Sequence, residues 1–173
     1  MSIGKNILLT AFAAIGLASA QDALDGVNHP FADDLLDHLA GTWKTTGQML
    51  GKPVDHTFQV EWTLNHQFLH LHELDAAAKP AYEAQVYIGY DNMSERYVVH
   101  WLDIFGGRIC ETLGFGKRTG DTIRFLFEYN EGPFTNTFTW NPGKGTWRFL
   151  MESKGKDGKW ANFGTFDLER VKQ

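Results

Sequence analysis

From Thr42 onward the sequence keeps a period of two, broken only by short connectors, and few folds accept such a pattern. Ten segments carry it: TWKTTGQML, HTFQVEWTL, QFLHLHEL, YEAQVYIGY, RYVVHWLDIF, RICETLGFG, DTIRFLFEY, FTNTFTW, TWRFLMES and KWANFGTFDLER. Successive side chains of a strand point to opposite faces. Phe58, Val60 and Trp62 therefore share one face of the second segment, and Ile123, Phe125, Phe127 and Tyr129 share one face of the seventh. The connectors LGKP, YDNMSE, KRTGD, NEGP, NPGKG and KGKDGK carry turn chemistry. They are too short to hold crossover helices, so the strands run antiparallel to their neighbours in sequence. Left open, a meander of this length would expose two long edges, and closure removes them. The expected fold is all-β: an up-and-down antiparallel β-barrel of about ten strands.

Two segments precede the strands. Residues 1–20, MSIGKNILLTAFAAIGLASA, hold a Lys5 n-region, an apolar run from Ile7 to Leu17 and a small-x-small Ala18-Ser19-Ala20 close. This is the pattern of a secretory signal peptide cleaved after Ala20, and the apolar run is short for a membrane anchor. The organisation expected is residues 1–20 as signal peptide and residues 21–173 as a single barrel domain, periplasmic or secreted, with no membrane span left after cleavage. FADDLLDHLAG then reads as a short helix. Phe31, Leu35, Leu36 and Leu39 recur at helical spacing, Asp33 and Asp34 sit in the first turn, and Gly41 stands at the stop. His38 near its end is read as a surface residue. The helix is expected to plug one end of the barrel.

Composition narrows the partners. Hydrophobic residues make up 43% of the 173 and aromatics 14%, which excludes a disordered chain. The net charge is −5, and losing Lys5 with the leader makes it −6; with no basic patch, nucleic acid is not an expected partner. The single cysteine, Cys110, cannot form an internal disulfide and is read as a small packed hydrophobe.

LAGTWK resembles the Gly-x-Trp signature of lipocalin-like barrels, the calycin group, with Gly41 and Trp43 following a short helix as they do there. The resemblance implies that Trp43 packs across the closed end and that Arg170, in FDLERVK, stacks on it. A guanidinium over an indole face is a favourable pair. IGYD at 88–91, HWLDIFGG at 100–107, EGPFTNTF around Pro133 and the closing FGTFDLER extend the likeness. Together they resemble an uncharacterised bacterial family of often secreted, calycin-like proteins. Some related barrels bind haem through a histidine on a late strand. The last two strands here hold none, with Met151 the only soft atom, so no cofactor is assigned.

Candidate site residues are polar groups on otherwise apolar faces, as a binding cavity requires. In YVVHWLDIFGGR, Tyr97, Val99, Trp101 and Asp103 share the face read as inner, and His100 points outward. Asp103 belongs near the mouth, where a buried carboxylate is not stranded, with Arg108 beyond the Gly-Gly kink as its expected partner. In FLHLHEL, His70 and His72 share a face with Phe68 and Leu74, opposite Leu69, Leu71 and Glu73. Such a pair can chelate zinc or copper, but no spacing supplies a third ligand, and no metal site is assigned. The pair is read either as facing a ligand or as a half-exposed strand surface. Glu111 between Ile109 and Leu113, Asn136 between Phe134 and Phe138, and Asn162 before Gly164 complete the set. A one-residue slip would invert any of these faces.

The leading functional reading is a binding module that holds a small apolar or amphipathic molecule, using His70, His72, Trp101, Asp103, Glu111 and Asn136. The alternative is a barrel enzyme, an isomerase, cyclase or hydrolase, working through Asp103 with His70 or His72. A third reading is a side-chain-filled barrel with an interaction role at the cell envelope. Nucleophile elbow, phosphate loop and dinucleotide fingerprint are all missing from the sequence, whose spacing does not define an oligomeric state.

Overall fold

The computed structural model describes residues 31–172; the leader assigned to residues 1–20 lies outside them. A short helix, α1 (Asp34–Leu39), leads into five strands: β1 (Gly41–Met49), β2 (Lys52–Thr63), β3 (Phe68–Asp75), β4 (Glu83–Asp91) and β5 (Arg96–Asp103). A single helical turn, α2 (Gly107–Cys110), precedes β6 (Gly114–Thr119), β7 (Thr122–Tyr129), β8 (Gly132–Asn141), β9 (Thr146–Lys154) and β10 (Trp160–Arg170). Every strand pairs antiparallel with its neighbours in sequence, and β1 pairs with β10, so the sheet closes into a barrel of ten strands. Among the described residues no helix is long and apolar enough to cross a membrane.

The helix sits at one end. Asp33 caps it by accepting from the Leu36 N–H at 2.8 Å, and Leu35, Leu36 and Leu39 are buried against the barrel. Its C-terminal carbonyls, which have no partner inside a helix, are met by side chains of the strands. Trp43 Nε1 donates to the Leu39 carbonyl at 2.7 Å, and Trp147 Nε1 to that of His38 at 3.3 Å. The Arg170 guanidinium donates to the His38 and Ala40 carbonyls at 2.8 and 2.9 Å, and its carbon lies 4.3 Å from the centre of a Trp43 ring. Gly41, at φ +131°, leaves the space this arginine occupies: a Cβ there would fall 2.2 Å from Arg170 Nη1. The exposed His38 ring stacks on Trp140 at 4.7 Å.

Across the middle lies an aromatic floor. Phe149 stacks on Phe138 at 4.3 Å and on Trp101 at 5.7 Å, and meets Phe58 and Phe166 edge-on at 6.2 and 5.8 Å. These side chains are all buried, so the half between floor and helix is filled with core.

One segment departs from the sequence reading. RICETLGFG is not a strand throughout: the chain turns at Gly106, with φ +78°, into α2, and β6 begins only at Gly114. β5 and β6 therefore pair only from Tyr97 to Val99, and the open half of β5 has no β6 beside it. α2 covers that gap. His100, facing outward, bonds through Nε2 to the Cys110 carbonyl at 2.7 Å, and the Asp103 N–H reaches Cys110 Sγ at 3.2 Å.

Candidate functional site

Beyond the aromatic floor the barrel is open, and the space there forms a cavity of about 340 Å³. Its walls come from β1, β5, β7, β8, β9 and β10 with α2 and the loops at their open ends. Met49, Leu50, Phe105, Ile109, Tyr129, Phe134, Met151 and Phe163 make it apolar, and Tyr82, Trp101, Asp103 and Asn136 are its polar members. Such a mixture, an apolar wall with a few convergent polar groups, is the usual make-up of a small-molecule site.

Two local devices shape the mouth. Leu50 sits at φ +50° in the tight turn between β1 and β2, a conformation uncommon for a leucine, and remains 67% exposed. Its N–H is held by the Phe163 carbonyl at 2.8 Å. Across from it, the register of β10 against β9 shifts between Asn162 and Gly164, and this bulge brings Phe163 onto the cavity wall.

The polar groups form a chain. Trp101 Nε1 donates to the Tyr82 hydroxyl at 3.1 Å, and that hydroxyl donates to Asp103 Oδ2 at 3.4 Å. Asp103 Oδ1 accepts from the Phe105 N–H at 2.9 Å and from Cys110 Sγ at 3.4 Å. Behind Tyr82 the His56 ring stacks at 5.7 Å and bonds through Nδ1 to Glu73 Oε1 at 2.6 Å, both side chains being buried. Burial pushes the Glu73 carboxyl above its ordinary range; the bond to His56 opposes the rise and the charge of Asp103 adds to it. Burial likewise raises the Tyr82 phenol, with the charges of Glu73 and Asp103 in support, and carries Tyr129 to about 12. The Cys110 thiol is also pushed up, chiefly by burial, so it is held as a thiol within the packing.

Asn136 is 4% exposed and lines the cavity. Its Oδ1 is one of three buried side-chain oxygens without a partner among the described residues, with Thr45 Oγ1 and Thr135 Oγ1, and Asn136 is the one of these three residues that lines the cavity. A buried polar atom without a partner carries a desolvation cost.

Of the six residues singled out from sequence, the structure brings three together: Trp101, Asp103 and Asn136 all line the cavity. The other three stand apart. The inner face of β3 is Leu69, Leu71 and Glu73, so His70 and His72 point outward. There His70 bonds to Gln85 and stacks on Tyr87 at 4.8 Å, while His72 Nε2 pairs with Glu83 at 2.8 Å. Packing decided this face: Leu71 pairs with Val60 and Val86, both buried, so the Leu69 and Leu71 face joins the core of the neighbouring strands. Glu111 is exposed just after α2, because the segment that was to be a strand is a turn. Asn162 is exposed at the β10 bulge and bonds to Thr165, and Arg108 is exposed and makes no ion pair with Asp103. The catalytic pair of Asp103 with His70 or His72 is therefore not assembled, since its members lie on opposite faces of the wall. Among the described residues no group of three or more His, Cys, Asp or Glu side chains is arranged to hold a metal.

The sequence reading passed over Tyr82 as a site residue and did not see Leu50, Ile109 or Phe163. Tyr82 was findable, since it shares a face with Ala84 and Val86 on a neighbour of β5. Phe163 was not, because a bulge leaves no signal in the period.

One family matches from Ala32, just before α1, through Arg170, the residue that clasps the helix; it is described as "Protein of unknown function (DUF1579)". The chain belongs to the DUF1579 family. Among solved structures, this DUF1579 member is similar to Rv2717c from M. tuberculosis, known from its crystal structure. The TM-score is 0.51 at 12% identity, over 82% of this chain and 100% of that one, a likeness of fold. No protein with a curated description matches the chain.

Proposed function

We propose that this is an exported, lipocalin-like barrel that takes a small apolar or amphipathic molecule into its open-end cavity. The observation that carries the reading is the cavity itself: about 340 Å³, mostly apolar, with Tyr82, Trp101, Asp103 and Asn136 as its polar members. A side-chain-filled barrel would leave no such space. Trp101 at the floor and the exposed Leu50 and Ile109 at the mouth mark a path from solvent inward.

The binding test is calorimetric titration with 1-naphthalenemethanol, alongside native mass spectrometry of gently purified protein. A dissociation constant below millimolar, or a co-purified small molecule, supports the reading. Neither, at full folding, overturns it. Export rests on residues 1–20 and is tested separately: the protein from the periplasm or medium is expected to begin at Gln21. A chain beginning at Met1 and confined to the cytoplasm would remove that part.

A further inference from the structure

The walls of the open-end cavity are unbalanced in charge. Its lining residues include no lysine, arginine or histidine, and Asp103 is their only carboxyl. The groups that bond to this carboxylate are all neutral: the Phe105 N–H, the Tyr82 hydroxyl and the Cys110 thiol. No ion pair among the described residues includes Asp103. Its charge adds to the rise of every titrating neighbour that shifts near it, Glu73, Tyr82, Cys110 and Tyr129. The one formal charge on the cavity wall, that of Asp103, thus has no cation beside it.

The rest of the lining suits the opposite charge. Tyr82, Trp101, Phe105, Tyr129, Phe134 and Phe163 surround the space with aromatic rings. The faces of such rings attract cations, more so where water is excluded. Asn136 adds a neutral amide to the wall, with no charge to offset that of Asp103. A carboxylate ligand would bring a second negative charge beside Asp103 and find no cation to offset its desolvation.

We infer that the open-end cavity selects a cationic amine on a compact apolar body over an anion of the same shape, with Asp103 as counter-ion and Asn136 as second polar anchor. The inference rests on the binding reading above and names the chemistry of its ligand. It also separates this barrel from a fatty-acid carrier, which would place a basic side chain where Asp103 stands.

Three probes with one ring system test it: 1-naphthylmethylamine, 1-naphthalenemethanol and 1-naphthoate, titrated by calorimetry at neutral pH and low salt. The amine is expected to bind about tenfold more tightly than the alcohol, and the carboxylate about tenfold more weakly. In Asp103→Asn the preference for the amine over the alcohol is expected to shrink about tenfold. The series on the unaltered protein stands even if that variant fails to fold. A carboxylate that binds as well as the amine overturns the charge assignment and leaves the cavity as a site. No binding by any of the three removes both.

Discussion

The two ends of this barrel treat polar groups in opposite ways. At the helix end polar groups are drawn into pairs: Asp33 takes the Leu36 N–H and the Tyr97 hydroxyl, Arg118 pairs with Asp34, and the last helix carbonyls are filled by Trp43, Trp147 and Arg170. At the open end Asn136 lacks a partner and Asp103 lacks a counter-ion. The Phe149 floor divides the two regimes. The difference teaches where this chain invests stability and where it gives some up, which is the usual signature of a site.

The sharpest way to break the comparison is at the plug. Trp43→Ala removes a fully buried indole and the donor to the Leu39 carbonyl, and is expected to cost about 3–5 kcal/mol in urea denaturation. A loss under about 1 kcal/mol would mean that the helix end is not the anchored one. Arg170→Ala is expected to cost about 2 kcal/mol through two charge-assisted bonds. A double-mutant cycle between the two residues is expected to show coupling of about 0.5–1 kcal/mol, and strict additivity would remove the stacking contact.

Gly41→Ala comes next. The added methyl needs the space of Arg170 Nη1 and an unfavourable φ, so a loss of about 1–3 kcal/mol is expected. If Arg170→Ala is already in place, the steric part of that loss is expected to disappear, leaving the backbone part.

The titration of the two ends also differs in sign. The Arg118 guanidinium holds the Asp34 carboxyl below its ordinary value of 3.8, so its small contribution is lost as pH falls. Burial holds Glu73 above its ordinary value of 4.5. An acid with a raised folded pKa keeps its proton better in the folded state, so its effect on stability is adverse as pH rises from about 4.5 through the folded value. Glu73→Gln is expected to flatten that decline between pH 4.5 and 7 in parallel denaturation series. Equal slopes in both proteins would mean that His56 compensates the burial fully.

The smallest effect is the most specific. Asn136→Leu removes an unpartnered buried oxygen and keeps the branched shape, its extra volume directed at the cavity, and is expected to leave stability unchanged or raise it by about 0.5–1 kcal/mol. A polar-to-apolar change that costs more than about 2 kcal/mol would place Asn136 among the structural groups of the other end.

The architecture was readable because it depends on period and connector length, which sequence carries directly. α1, ten strands and closure follow from Leu35, Leu36 and Leu39 at helical spacing and from turns too short for crossovers. The site was readable in part. Trp101 and Asp103 lie on a strand whose apolar partners Tyr97 and Val99 leave no doubt about the inner face. β3 offered hydrophobic side chains on both faces, and only the register against Val60 and Val86 resolves it. Glu111 and Phe163 depend on a helical turn and a bulge, each a local departure that period-two reasoning must miss.

The account stands most directly on one binding measurement at the mouth. Ile109 is 41% exposed there, so Ile109→Trp is expected to fold normally while its indole obstructs the opening. Calorimetric titration of 1-naphthalenemethanol into both proteins then decides. The account predicts sub-millimolar binding by the unaltered barrel and a loss of about tenfold or more in the variant, with the urea midpoint unchanged. Binding of equal strength in both would show that the ligand sits elsewhere and contradict the open end as the site.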